Sequence, residues 1–349
     1  MKNKISNRDL SSARANKKDE FYTQLSDIEK ELKHYKDHFK DKIVYCNCDD
    51  PRVSNFFHYF SYNFEKLGLK KLITTCYKNQ DMDLFSQNNS ERAIYLEYTG
   101  DKNKNNIPDK NEIEVKYLKG DGDFRSQECI DLLKQADIVV TNPPFSLFRE
   151  YVDQLFEFKK QFLIIGNINA VSYKEIFKLF KENKIWLGAS IHSGDREFGV
   201  PDYYPLNAAG VRIDENGKKY IRVKGVRWFT NLDYKERHEN LILYKKYTPE
   251  EYPKYDNYDA INVDKTSEIP MDYDGIMGVP ITFLDKYNPE QFEIIGSDYE
   301  VMEGLLKEIA NPKWVGKLDR GYLNGKRMYA RLLIKRKKYR MQAYILFSS

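Results

Sequence analysis

Hydrophobic and polar positions divide the chain into two textures, changing near residue 190. Before it, short solid apolar runs alternate with stretches whose apolar residues return every three or four positions. The solid runs read as strands buried on both faces, and the longer period reads as amphipathic helix. A helix is predicted over 26–38, where Ile28, Leu32 and Tyr35 share a face and Asp27 and Glu29 suit the helix dipole. Ile43-Val44-Tyr45-Cys46 is the first buried strand. Asp49, Asp50 and Pro51 then open a helix over 52–67, stopped by Gly68. Strands follow over 72–77, 93–98, 113–118, 137–141, 162–165 and 185–187, with helices over 126–135, 148–156 and 173–180. This alternation predicts an α/β fold with a doubly wound, largely parallel sheet.

After residue 190 glycine and aromatic residues become more frequent. Residues 211–223 read as a hairpin around Asn216-Gly217, and 226–230 and 241–244 as late strands completing the sheet. The Tyr-, Pro- and Asp-rich stretch 248–258 reads as a linker to a smaller α+β part. The expected organisation is a basic arm over 1–18, a large domain over 19–247 and a second region over 248–349.

Composition narrows the class. Of 349 residues 41% are hydrophobic, enough for a packed core, yet no apolar run reaches the length of a membrane span. The first eighteen residues are polar and basic, without the hydrophobic stretch of a signal peptide, so a cytoplasmic location is expected. Four cysteines without paired or metal-type spacing fit reduced thiols, and no metal is expected. No obligate protein partner is evident, and a monomer is expected. The net charge of +4 says little, but its distribution says more. Between residues 313 and 340 stand eleven Lys or Arg and one acid, Asp319, interleaved with Trp314, Tyr322, Tyr329 and Tyr339. That pattern suits phosphate contact and base stacking; the plain alternative is a solvated basic face.

The sharpest chemical signal is Asn142-Pro143-Pro144-Phe145, directly after the apolar run Ile138-Val139-Val140. Proline cannot donate to a sheet ladder and disfavours helix in the residue before it, so the strand ends here. The result is a stiff tetrapeptide at the C-terminal edge of a strand, where open α/β sheets bind ligands. The Asn142 side-chain oxygen and the Pro143 carbonyl can each accept one hydrogen of an exocyclic amine on a planar base. Holding both hydrogens draws the nitrogen lone pair out of the ring and makes it nucleophilic, by positioning rather than by a strong base. Phe145 would stack on the base. A turn that merely ends a strand is the bland alternative.

The tetrapeptide resembles the amino-methyltransferase motif Asp/Asn/Ser-Pro-Pro-aromatic. Upstream, Lys18-Asp19-Glu20-Phe21-Tyr22-Thr23-Gln24 resembles the Phe-Tyr-Thr motif that lines the S-adenosyl-L-methionine pocket of such enzymes. The order of these motifs is that of the gamma class of adenine methyltransferases. The stretches Val44-Tyr45-Cys46-Asn47-Cys48-Asp49-Asp50-Pro51 and Gly275-Ile276-Met277-Gly278-Val279-Pro280 are similar to EcoRI-type adenine-specific DNA methyltransferases. The resemblance runs from about residue 11 to past residue 296.

It implies a Rossmann-like methyltransferase sheet with a C-terminal DNA-recognition part, acting on double-stranded DNA within a restriction–modification system or as a solitary methylase. The methyl of S-adenosyl-L-methionine would pass to the 6-amino group of an adenine flipped out of the duplex. Catalysis would fall to Asn142, Pro143, Pro144 and Phe145. The cofactor would meet Phe21, Tyr22, Thr23, Cys46, Asn47, Asp49, Asp50, Asp123 and Phe124, and Lys335, Arg336, Lys337 and Lys338 would hold DNA. Two departures stand out. The usual Gly-x-Gly after the first strand is replaced by Cys46-Asn47-Cys48, and the second strand ends Cys76-Tyr77-Lys78 without an acid for the ribose. Rival readings are methylation of RNA or of a protein glutamine, and a catalytically inactive DNA-binding relative. The basic C-terminal part favours nucleic acid, and the intact tetrapeptide favours an enzyme.

Overall fold

The solid apolar runs become neighbouring strands in the computed structural model, which describes residues 21–48, 54–75, 93–105, 107–109, 111–192, 194–200 and 210–337. The arm over 1–18, Asp49, Asp50, Cys76 to Lys78 and Lys338 lie outside the described residues. Two compact units are distinguished, one of residues 1–180 and 184–234, the other of 181–183 and 235–349.

The first unit contains β1 (Ile43–Cys46), β2 (Lys71–Thr75), β3 (Ile94–Tyr98), β4 (Ile113–Tyr117), β5 (Ile138–Thr141), β6 (Gln161–Asn167), β7 (Trp186–Leu187), β8 (Asp195–Gly199), β9 (Val211–Ile213), β10 (Lys219–Lys224) and β11 (Val226–Thr230). Its large sheet runs β4-β3-β2-β1-β5-β6-β11-β7. The four central strands β2-β1-β5-β6 are parallel, as solid apolar runs demand, and every residue of β5 is buried. Both flanks are antiparallel, where the sequence pattern pointed to parallel neighbours. β11 slots between β6 and β7 after a tight turn at Gly225, whose φ of 71° suits glycine.

Helices cover the parallel centre. The Asn55–Tyr62 helix is capped by Ser54, which accepts from the N–H groups of Phe56 and Phe57, and Phe56 packs edge-on against the buried Trp228 at 6.1 Å. The helix read over 52–67 is thus shorter: it breaks at Asn63, resumes over Phe64–Leu67 and ends at Gly68, φ 62°. The helix read over 26–38 is α-helical only over Leu25–Leu32. Beyond it the chain turns Tyr35 inward, where its hydroxyl donates to Glu31 at 2.8 Å; Glu31 also accepts from the Ala189 and Ser190 N–H groups. The 211–223 hairpin forms, but as part of a separate sheet, β8-β10-β9.

The second unit holds β12 (Ile261–Asn262), β13 (Met277–Val279), β14 (Phe292–Ser297), β15 (Tyr322–Leu323), β16 (Lys326–Arg327) and β17 (Leu332–Arg336). Its sheet runs β12-β13-β17-β14, and β15-β16 is a ribbon turning at Asn324-Gly325, both at positive φ. Two sequence readings fail here. Residues 241–244 are not a strand, because the Gln291 side chain satisfies both backbone groups of Leu241. Residues 248–258 are not a linker, because Tyr252, Tyr255 and Tyr258 are buried with their hydroxyls bonded to Glu268, Asn262 and Asp298. Among the described residues no helix is long and apolar enough to cross a membrane.

Candidate active site

β1 has β2 on one side and β5 on the other, so the sheet reverses its direction of growth between β1 and β5. At such a switch point the strand ends open a crevice for ligands. Val44 pairs with Ile138 and Tyr45 with Val139, which brings Asn47 after β1 and Asn142 after β5 to one edge. The Thr141 hydroxyl donates to the Asn47 carbonyl, and Asn47 accepts on its side-chain oxygen from the Tyr151 hydroxyl. Tyr151 lies on the Phe148–Glu157 helix, and burial holds its phenol well above the usual range, so it stays a donor. β5 and the Phe148–Glu157 helix thus both hold Asn47. Cys48, next in the chain, has a φ of 72°. It adopts the left-handed conformation that a glycine takes without strain, in a loop that has no glycine.

Beyond β5, Pro143 and Pro144 carry the chain into a tight turn, Phe145–Leu147, and then into the Phe148–Glu157 helix. The Asn142 side-chain nitrogen donates to the Phe21 carbonyl at 2.7 Å. Phe21 meets Phe145 edge-on and Phe198 at a tilt, each at 5.8 Å. Tyr22 exchanges backbone hydrogen bonds of 2.8 and 2.9 Å with Gly199, and the Asn55 amide donates to the Thr23 carbonyl at 2.7 Å. The Asn142 side-chain oxygen is buried and, among the described residues, has no hydrogen-bond partner. Among the described residues the hydroxyls of Thr23, Thr74 and Ser190 and one Asp319 carboxylate oxygen share that condition; Thr74 pairs with Cys46 across β2 and β1. Leaving such an atom unpaired costs about 1–3 kcal/mol, so the open Asn142 oxygen, which follows directly on the end of β5, marks a position suited to a ligand donor.

Asp123 and Phe124 sit before the Gln127–Gln135 helix, which Ser126 caps. Both Asp123 oxygens accept from the Arg125 side chain, at 2.9 and 2.7 Å, and Arg125 also reaches Glu150 at 3.0 Å. Phe124 is buried, packs edge-on against Tyr151 at 5.0 Å and gives its carbonyl to Gln154. Tyr151 therefore links Phe124 to Asn47, and Asn47 is linked through Thr141 to the residue before Asn142.

Comparison with known proteins decides the family. The model of the adenine-specific methyltransferase EcoRI family matches residues 9–337. The chain belongs to that family. It is 52% identical over 340 residues to the Type II methyltransferase M.EcoRI of Escherichia coli, covering 97% of this chain and 99% of that one. A Type II methyltransferase of Mycoplasma genitalium is 41% identical over 335 residues, covering 93% and 98%. The Type II methyltransferase M.MpnI of Mycoplasma pneumoniae is 40% identical over 336 residues, covering 93% and 97%.

For a member of the EcoRI family, the fold joins motifs far apart in sequence. Phe21 touches Asn142 and Phe145; Asn47 and Phe124 meet through Tyr151. Tyr151, Thr141, Asn55 and Phe198 were not read from the sequence as site residues. Tyr151 shares the inward stripe of its helix with Phe148, Val152 and Leu155, so nothing in the pattern marks its hydroxyl as engaged. The basic candidates are elsewhere, in the second unit. β17 buries Leu332, Leu333 and Ile334 and leaves Lys335 exposed, and Lys337 just after it is exposed too. Lys335 stands opposite Glu293 on β14, and Arg336 is 4.0 Å from Asp274.

Proposed function

We propose that this chain transfers a methyl group from S-adenosyl-L-methionine to the 6-amino group of an adenine flipped out of double-stranded DNA, as the modification half of a restriction–modification system. The observation that carries the reading is the Asn142 side-chain oxygen, buried and unpaired at the strand edge. It and the Pro143 carbonyl accept the two amine hydrogens, which localises the nitrogen lone pair. Acceptors fixed in advance need no reorganisation at the moment of reaction. Phe145 contributes the stacking face, and Pro144 stiffens the turn that presents it.

The residues around β1 fit the cofactor. Its sulfonium, when bound, supplies an electrophilic methyl. The unpaired hydroxyl of Thr23, the segment Phe21-Tyr22-Thr23 and the left-handed turn at Cys46-Asn47-Cys48 offer polar contacts and close backbone approach. Asp49 and Asp50 would meet the ammonium group. Phe124 would pack on the cofactor's adenine, and Asp123, to take its amine, would share its oxygens with Arg125. Lys335, Arg336, Lys337 and Lys338 would contact DNA phosphates.

The test is expression in a host that lacks adenine methylation, followed by sequencing that detects N6-methyladenine. Methylated adenines at one recurrent sequence are expected from the native chain and none from Asn142→Ala. Unmethylated DNA despite folded, cofactor-binding protein would overturn the proposal.

A further inference from the structure

We infer that the main-chain carbonyl of Phe21 sets which way the Asn142 amide faces, and so makes position 142 demand an amide rather than a carboxylate; this rests on the role of Asn142 given above. A carbonyl oxygen only accepts hydrogen bonds, so the atom facing it at 2.7 Å must be the amide nitrogen. Because the amide is planar, its oxygen is turned away, into the buried position where it has no partner. A flipped amide would offer a nitrogen donor to an amine that is itself a donor. The Phe21 carbonyl thus keeps the acceptor aimed at the substrate.

That carbonyl is itself held. Tyr22 is bridged to Gly199 by two backbone hydrogen bonds, the Thr23 carbonyl takes the Asn55 amide, and the Phe21 ring lies against Phe145 and Phe198. Asn55 is a positioning residue, since it acts on Asn142 only through the 21–23 segment. The consequence for side-chain choice is specific. By charge alone an aspartate at position 142 would be the stronger acceptor for an amine. Here one of its two oxygens would face the Phe21 oxygen with no hydrogen between them, so the carboxylate would turn away and lose its aim.

The experiment compares Asn142→Asp, Asn55→Ala and the double variant with the native chain and with Asn142→Ala. Calorimetry reports cofactor affinity, and single-turnover transfer to duplex DNA at saturating cofactor reports the chemical step. Asn142→Asp is expected to bind cofactor normally and to transfer about tenfold to a hundredfold more slowly. Asn55→Ala is expected to slow transfer, and the loss caused by Asn142→Asp should be smaller in its background, because a loosened carbonyl repels less. Such coupling between residues that do not touch would not arise from independent structural damage. If Asn55→Ala fails to bind cofactor, Gly199→Pro, which removes the N–H held by the Tyr22 carbonyl, takes its place. A native rate for Asn142→Asp, or strictly additive losses, would overturn the role of the Phe21 carbonyl. Near-normal transfer by Asn142→Ala would instead remove the role of Asn142 itself.

Discussion

One buried amide of the first unit, Asn142, behaves differently from those of the second. In the second, Asn257 donates to the Arg320 carbonyl and accepts from the Tyr322 N–H. Asn262 donates to Asp264 and accepts from Tyr255; Asn288 donates to the His238 carbonyl and accepts from the Glu290 N–H. In the first, Asn142 is satisfied at its nitrogen and open at its oxygen. A closed amide is a cross-link, and an amide open at one end is a binding group held at a cost. The difference separates a polar side chain that builds a fold from one that waits for a ligand.

Two substitutions should pull these roles apart. Asn142→Ala should lower methyl transfer on the order of 10²–10³-fold, the usual loss for one preorganised group, while leaving the unfolding midpoint almost unmoved. Asn257→Ala should cost about 2 kcal/mol of stability, because it strands the half-buried Tyr322 N–H and Arg320 carbonyl. Denaturant titration beside a tritiated-methyl assay checks both. If Asn142→Ala destabilised as much as Asn257→Ala, the two amides would be alike and the contrast would fail.

The second unit also hides a carboxyl that should make its stability depend on pH. Asp298 accepts from the Tyr258 hydroxyl and from the Arg331 N–H, yet burial pushes its pKa up to about 6. The folded unit therefore holds this proton more tightly than the unfolded chain does. Its contribution is full below the ordinary carboxylate pKa and is lost as pH rises through about 6. The loss has a ceiling of about 3 kcal/mol, from 1.36 kcal/mol per pKa unit. Unfolding titrations at pH 4 to 7 should show a decline in the native chain relative to Asp298→Asn. Parallel curves would mean that the hydrogen bonds offset burial.

A smaller effect is expected at the basic strand. β17 anchors its apolar half in the core, so only Lys335 and, just after the strand, Lys337 project freely among the described basic residues here, and Arg336 is drawn towards Asp274. Neutralising Lys335, Arg336, Lys337 and Lys338 together should weaken duplex binding about tenfold at moderate salt. It should also lower the salt slope by roughly one for each phosphate that is no longer neutralised. Cofactor affinity should not change. A slope that stays constant would assign these charges to solvent and move the phosphate-binding groups elsewhere in the chain.

Much of the first unit was legible because its signals are local. Ile43 to Cys46 and Ile138 to Thr141 are solid apolar runs, and Gly68 and Ser126 mark helix ends. The antiparallel flanks were not legible, since the partner of a strand is chosen by long-range packing that periodicity does not encode. The second unit was misread for a related reason. Tyr252, Tyr255 and Tyr258 look like linker residues when polar neighbours are counted, yet they are buried with their hydroxyls bonded to Glu268, Asn262 and Asp298, partners that lie outside the stretch itself. At the site, the tetrapeptide stood out in the sequence as the candidate for the chemistry. The Phe21 carbonyl that faces Asn142 carries no signature, because a backbone carbonyl looks the same in every residue, and Asn55 is met only through the fold.

Cys48 gives the finest test of how the two units treat a strained turn. In the second unit a left-handed position falls on Asn324, a residue type that tolerates it, with Gly325 following. In the first, the residue after Asn47 takes a φ of 72° as a cysteine, where the usual methyltransferase loop would place glycine. A left-handed Cβ costs roughly 1–2 kcal/mol. Glycine recovers that strain but loses about 0.5–1 kcal/mol through the freedom of its unfolded chain. Cys48→Gly should therefore stabilise the chain by at most about 1.5 kcal/mol and keep cofactor affinity. Cys48→Val, β-branched at the same φ, should destabilise it. Matched unfolding curves for the three chains decide the matter. Equal stability of the glycine and valine variants would mean that the turn relaxes without cost and that glycine's absence here has no energetic consequence.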